Sequence, residues 1–178
     1  MLNKKLNLVV NLDNVTIHST PISKDVFERY YKVIGRAFNE ITANFGVISG
    51  PRLAYLSLKD ASQQIGGREY WEDVQNGLIN EIIRLSVAFV KTDAGWQQLP
   101  LVNANVDEDD YDYFINSVVF FICVSTMHTA EIAKKMLQIA QNLGWLEITS
   151  LACTEYKGSL PILTETNNLT VTPSLIPS

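Results

Sequence analysis

The chain has 178 residues, 47% of them hydrophobic and 19% charged, with a net charge of −5. That length fits one domain with a sizeable core. The acidic balance argues against nucleic acid as a partner, because Lys4-Lys5 and Lys134-Lys135 are isolated pairs and no basic stripe exists to neutralise phosphates.

The two cysteines, Cys123 and Cys153, are far apart in sequence. A disulfide framework is therefore not expected, and a reducing cytosol fits. Lys4 and Lys5 precede an apolar stretch, but Asn7 and Asn11 interrupt it and no small-residue cleavage site follows. No signal peptide is expected there. Asn14-Val-Thr16 and Asn168-Leu-Thr170 match the glycosylation sequon, which has no consequence in a cytosolic chain.

Residues 6–22 read as a β-hairpin. Leu6, Leu8, Val10 and Leu12 alternate with their neighbours, Val15 and Ile17 follow, and Asp13-Asn14 between them suits a turn. Pro21 stops the second strand. Ser23 then reads as a helix N-cap, with Asp25 in the positive first turn. From there Phe27, Tyr31, Ile34, Phe38, Ile41 and Phe45 recur at steps of four and three, which predicts one aromatic helical face. Gly35 inside that helix marks an expected close approach by another backbone. Gly46 follows as its C-cap.

Gly46-Val-Ile-Ser-Gly-Pro51 reads as a loop. It is not a phosphate loop, since no Gly-Lys-Ser/Thr follows. Pro51 opens a short second helix lined by Leu53, Leu56 and Ala61, and Gln63-Gln-Ile-Gly-Gly67 ends it. A third helix is predicted from Trp71-Glu-Asp73. Its stripe is Val74, Leu78, Ile82, Leu85 and Phe89, widened by Ile79, Ile83 and Val87, with Arg84 and Lys91 near its end. Asp93-Ala-Gly95 breaks it. Trp96, Leu99, Leu101 and Val102 around Pro100 read as a short hairpin or an extended segment.

The most apolar run is 113–127, and acids precede it at Asp107-Glu-Asp-Asp110 and Asp112. The run falls short of the roughly 20 residues a membrane span needs, and Asn116 and Ser117 interrupt it. The acids do not match a calcium loop, because Asp112 and Val118 stand where glycine and glutamate belong. Asp107 as N-cap of a central, all-round apolar helix is the better reading. Thr129 caps the next helix, whose predicted inner face is Ile132, Met136, Ile139 or Ala140, and Leu143; Gly144 ends it. Residues 145–163 read as extended. Residues 164–178 are rich in Thr, Asn, Ser and Pro and are predicted to be a flexible tail.

The predicted fold is thus mainly α (α+β). It is a single domain over 1–163, with a hairpin at 6–22, a body of about five helices at 23–144 and an extended C-terminal segment. No catalytic, cofactor or metal site is expected. His18 and His128 have no zinc-site spacing, and His18 and Ser19 on one strand point to opposite faces. No nucleophile elbow or dinucleotide fingerprint occurs.

Three stretches carry a family resemblance. They are Val10-Asn-Leu-Asp-Asn-Val-Thr-Ile-His-Ser-Thr-Pro-Ile-Ser23, Phe114-Ile-Asn-Ser-Val-Val-Phe-Phe-Ile-Cys-Val-Ser-Thr-Met-His128 and Thr149-Ser-Leu-Ala-Cys-Thr-Glu-Tyr-Lys-Gly-Ser-Leu-Pro161. Together they resemble the tail assembly chaperones of long-tailed phages and prophages. The resemblance implies a small helical protein of the host cytoplasm that coats the tape-measure protein during tail building and is absent from the finished virion. Many such proteins also exist in a longer, frameshifted form. Candidate partner-binding residues on this reading are Phe27, Tyr31, Phe38, Phe45, Phe120 and Phe121, with a homo-oligomer possible and no membrane or nucleic acid involved. The rival readings are a structural virion component, such as a minor tail or head–tail connector protein, and a small enzyme with a dispersed site.

Overall fold

The alternating apolar residues near the N-terminus form paired strands, β1 (Asn7–Asn11) and β2 (Val15–Ser19), in the computed structural model. It describes residues 6–161, apart from the side chains of Phe45 and Val47. Three more strands extend the hairpin: β3 (Ser86–Thr92), β4 (Gly95–Pro100) and β5 (Glu147–Thr149). The sheet order is β4-β3-β2-β1-β5, and every pairing is antiparallel. Residues directly opposed in such pairs share a face. The register Val10↔Ile17↔Ala88↔Leu99 therefore lines one face, and Val9↔His18↔Val87 lines the other.

The helices cover the first face. They are α1 (Lys24–Glu40), α2 (Gly46–Val74), α3 (Asn80–Arg84), α4 (Glu108–Met127) and α5 (Ala130–Asn142). One core unites Leu8, Val10 and Ile17 of the sheet with Val33, Leu58, Leu78 and most of α4. A last short helix, α6 (Cys153–Ser159), lies on the opposite face, where Tyr156 joins Val9 and Phe89 in a second, smaller cluster. The result is the single α+β domain, helical with an N-terminal hairpin, that the sequence predicts.

Capping follows the side-chain chemistry. Ser23 Oγ accepts from the Val26 N–H at 3.3 Å, and Asp107 Oδ1 accepts from the Asp110 N–H at 2.8 Å. Each satisfies one of the free donors of a first helical turn.

Several expectations are corrected. The aromatic stripe of α1 is not its inner face: Tyr30, Val33, Ile34 and Ala37 are buried, with Ile41 beyond the helix, while Tyr31 is exposed. Gly35 faces the thioether end of Met127, not a second backbone. The loop predicted at 46–51 is helical. The chain makes one π-helical turn (Ile41–Phe45), breaks at Gly46 and re-enters helix at once. A second break falls at Gly66-Gly67, so α2 is two helical pieces joined at a kink. Gly46 (φ 62°, ψ −166°) and Gly67 (φ 68°, ψ −154°) adopt nearly the same backbone conformation, one that is essentially restricted to glycine.

The third predicted helix ends early. After a π-helical turn (Gln75–Ile79), α3 stops at Arg84, and the residues assigned to its final turns form β3. Leu85 and Phe89 happen to continue a helical period. The same residues also alternate, with Val87, Phe89 and Lys91 on one face and Ala88 and Val90 on the other. The place between β2 and β4 decides in favour of the strand. Trp96 and Leu99 thereby belong to a hairpin made with β3. Within 145–163 the chain is extended only in part, since β5 and α6 form there. The predicted tail at 164–178 lies outside the described residues.

Candidate functional surface

Helix α4 is the post around which the helical layer is built. Phe114, Phe120, Phe121 and Val124 are at most 1% exposed. Its polar side chains are turned back onto its own backbone: Ser117 Oγ donates to Tyr113 O at 2.8 Å, and Thr126 Oγ1 to Ile122 O at 2.7 Å. Asn116 also reaches out, accepting from the Tyr55 N–H of α2 at 3.0 Å. Burial pushes the Cys123 thiol up to about 12, so it behaves as a small hydrophobe and not as a nucleophile.

The predicted partner-binding residues are not brought together. Phe120 and Phe121 are core residues of this chain, closed to a partner in this fold. Phe27 is half-buried against the core. Phe38 is half-buried as well, its ring edge-on to His128 at 4.9 Å. Tyr31 is 51% exposed, and the Phe45 side chain lies outside the described residues.

Other apolar side chains stand outside instead. Ile48 and Leu56 of α2 are 67% and 52% exposed. On α5 the predicted inner face is turned out: Ile132, Ile139 and Leu143 are 46%, 49% and 49% exposed, with Met136 half-buried between them. The real inner face is Ala133, Leu137 and Ala140, each fully buried against the neighbouring helices α4 and α2. Two apolar rows run along this helix. The row with the small side chains goes inward because it lets helix axes come close. The alternation Ile139 or Ala140 in the sequence reading was the signal that a second row existed.

The sheet carries other features. An open, mainly apolar groove of about 540 Å³ lies where α3 meets β4, lined by Ile83, Leu99, Leu101 and Val102 among others. Arg84 at its rim is already held by Glu81 through two contacts of 2.7 Å. On the other face, His18 is fully buried beneath α6, with the Tyr156 ring 5.4 Å away. Its Nε2 lies 3.1 Å from Leu151 O, which also accepts from Asn7 Nδ2 at 2.9 Å. A carbonyl partner requires the proton on Nε2 and leaves Nδ1, which has no partner, as the bare nitrogen. Burial holds the imidazole below the usual histidine value, opposed by the hydrogen bond to Leu151. This is the geometry of a structural histidine pinning the chain ahead of α6.

Among the described residues no group of three or more His, Cys, Asp or Glu side chains is placed to hold a metal ion, and no helix is long and apolar enough to cross a membrane. No family model matches the chain, and neither a curated protein nor a solved structure matches it.

Proposed function

We propose that this chain is a tail assembly chaperone of a long-tailed phage or prophage, a non-catalytic protein that binds the tape-measure protein in the host cytoplasm while the tail is built. The three stretches quoted above supply the resemblance. The observation that carries the reading physically is the outside of the helical layer, where Ile48, Leu56, Ile132, Ile139 and Leu143 leave apolar surface unspent. A holder of a long helical protein needs such surface, because helices are bound through their apolar faces. The aromatic residues first assigned to this task largely serve the core, so the binding role passes to α2 and α5.

The test is direct. The purified chain and a tape-measure fragment, mixed at micromolar concentration, are expected to co-elute as a complex whose mass is read by light scattering. Purified virions are expected to lack the chain by mass spectrometry. Stoichiometric presence in virions would overturn the chaperone reading in favour of a structural tail component.

A further inference from the structure

From the spacing and exposure on α5, we infer that this helix is a docking seam for one amphipathic helix of a partner. The inference deepens the proposal above and rests on it only for the source of the partner helix. Ile132, Met136, Ile139 and Leu143 follow one another at steps of four, three and four. That is the spacing of the apolar seam in paired helices, where each side chain inserts between four of the opposing helix. At about 100° per residue the seam lies roughly a quarter turn from the buried Ala133–Leu137–Ala140 row. It is therefore not the fringe of the core contact but a second face of the same helix. Its outer side has the polar rim such seams carry: Lys135 Nζ meets Glu131 Oε1 at 3.1 Å.

Size decides the occupant. The seam offers roughly 300 Å² of apolar surface, against the about 800 Å² per partner of a standard stable interface. A second copy docked α5 to α5 falls well short of a stable dimer. A single helix of about three turns matches the seam in length, since α5 has 13 residues. Each contact would be weak. A long partner that repeats the apolar pattern gathers many copies along its length, and simultaneous engagement then raises the overall affinity.

The probe is a synthetic, monomeric amphipathic peptide of about three heptads with leucine at the two seam positions. Titrated into the isotope-labelled chain, it is expected to shift amide resonances of α5 and of adjoining α2. Ile139→Glu and Leu143→Glu, both at exposed sites, are expected to weaken binding by about tenfold or more and leave the melting temperature unchanged. Val102→Glu, on a side chain 73% exposed elsewhere in the fold, serves as the control and is expected to bind as the parent does. Shifts centred away from α5, no shifts at about millimolar peptide, or indifference to both α5 variants would overturn the inference. So would a stable dimer that Ile139→Glu dissociates, since the occupant is then a second copy. Peptide binding without binding to a tape-measure fragment leaves the seam standing and removes the chaperone reading. Tape-measure binding that ignores Ile139→Glu does the reverse.

Discussion

Gly77 has no room for a side chain. A Cβ there would stand 1.6 Å from the Tyr30 hydroxyl and 2.7 Å from its Cζ, and that hydroxyl donates to Asp73 O at 3.3 Å. Gly77→Ala must displace a fully buried ring, so a loss of about 2 kcal/mol or more is expected, measurable by urea denaturation. His18 makes a pH-dependent prediction. Its folded value is lowered by burial beneath α6, so below the ordinary value near 6.5 the unfolded chain binds more protons than the folded one. Stability is complete above that pH and falls as pH drops toward the folded value, because a charged ring buried in that place lacks a partner for Nδ1. His18→Gln is expected to flatten this part of the profile, followed by melting temperature between about pH 7.5 and 5. The thiols differ similarly. Cys123 is buried with its thiol pushed up to about 12, whereas Cys153 is half-exposed. Native-state alkylation is expected to modify Cys153 first.

Elements in this protein are divided by backbone conformation more than by loops. The helical run from residue 24 to 84 is interrupted at Gly46 and at Gly66-Gly67, and the two positive-φ glycines make those breaks without a long connection. Gly46→Ala and Gly67→Ala would each hold a side chain in a conformation that costs about 1–3 kcal/mol, and nothing lies within 4 Å to add a clash. Both losses are therefore expected to be purely conformational, of similar size and readable by the same denaturation experiment. Their positions were legible, since glycine marks both the end of α1 and the middle of α2. That the chain re-enters helix at once was not, because a Gly-Ser-Gly-Pro composition is equally suited to a loop. Helix α3 and strand β3 teach the complementary lesson. Leu78, Ile82, Leu85 and Phe89 satisfy a helical period, and residues 86–92 satisfy a strand period. Only the pairing with β2 and β4 selects between them.

At the scale of the whole molecule, α4 ties every layer together. It packs against α1, α2, α5 and β1. Phe121, fully buried, is central to that packing, and Phe121→Ala is expected to cost about 3–5 kcal/mol through lost transfer energy and the cavity left behind. Amide hydrogen exchange should be slowest in α4 and in β2, the middle strand of the sheet, and fastest at the short edge strand β5. Much of this was readable from residues alone. The hairpin followed from alternation around Asp13-Asn14, the caps from Ser23 and Asp107, and the central helix from a run with no polar face. Those are local decisions, made by turn chemistry, hydrogen-bonding side chains and apolar periodicity. The candidate surface was not local. Along α5 two apolar rows compete for the interior, and along α1 an aromatic row competes with Tyr30, Val33 and Ala37. The sequence by itself determined that these helices have apolar faces. Only the tertiary structure decided which face the core took and which it left outside, because the winner is the row whose size lets the neighbouring helices close.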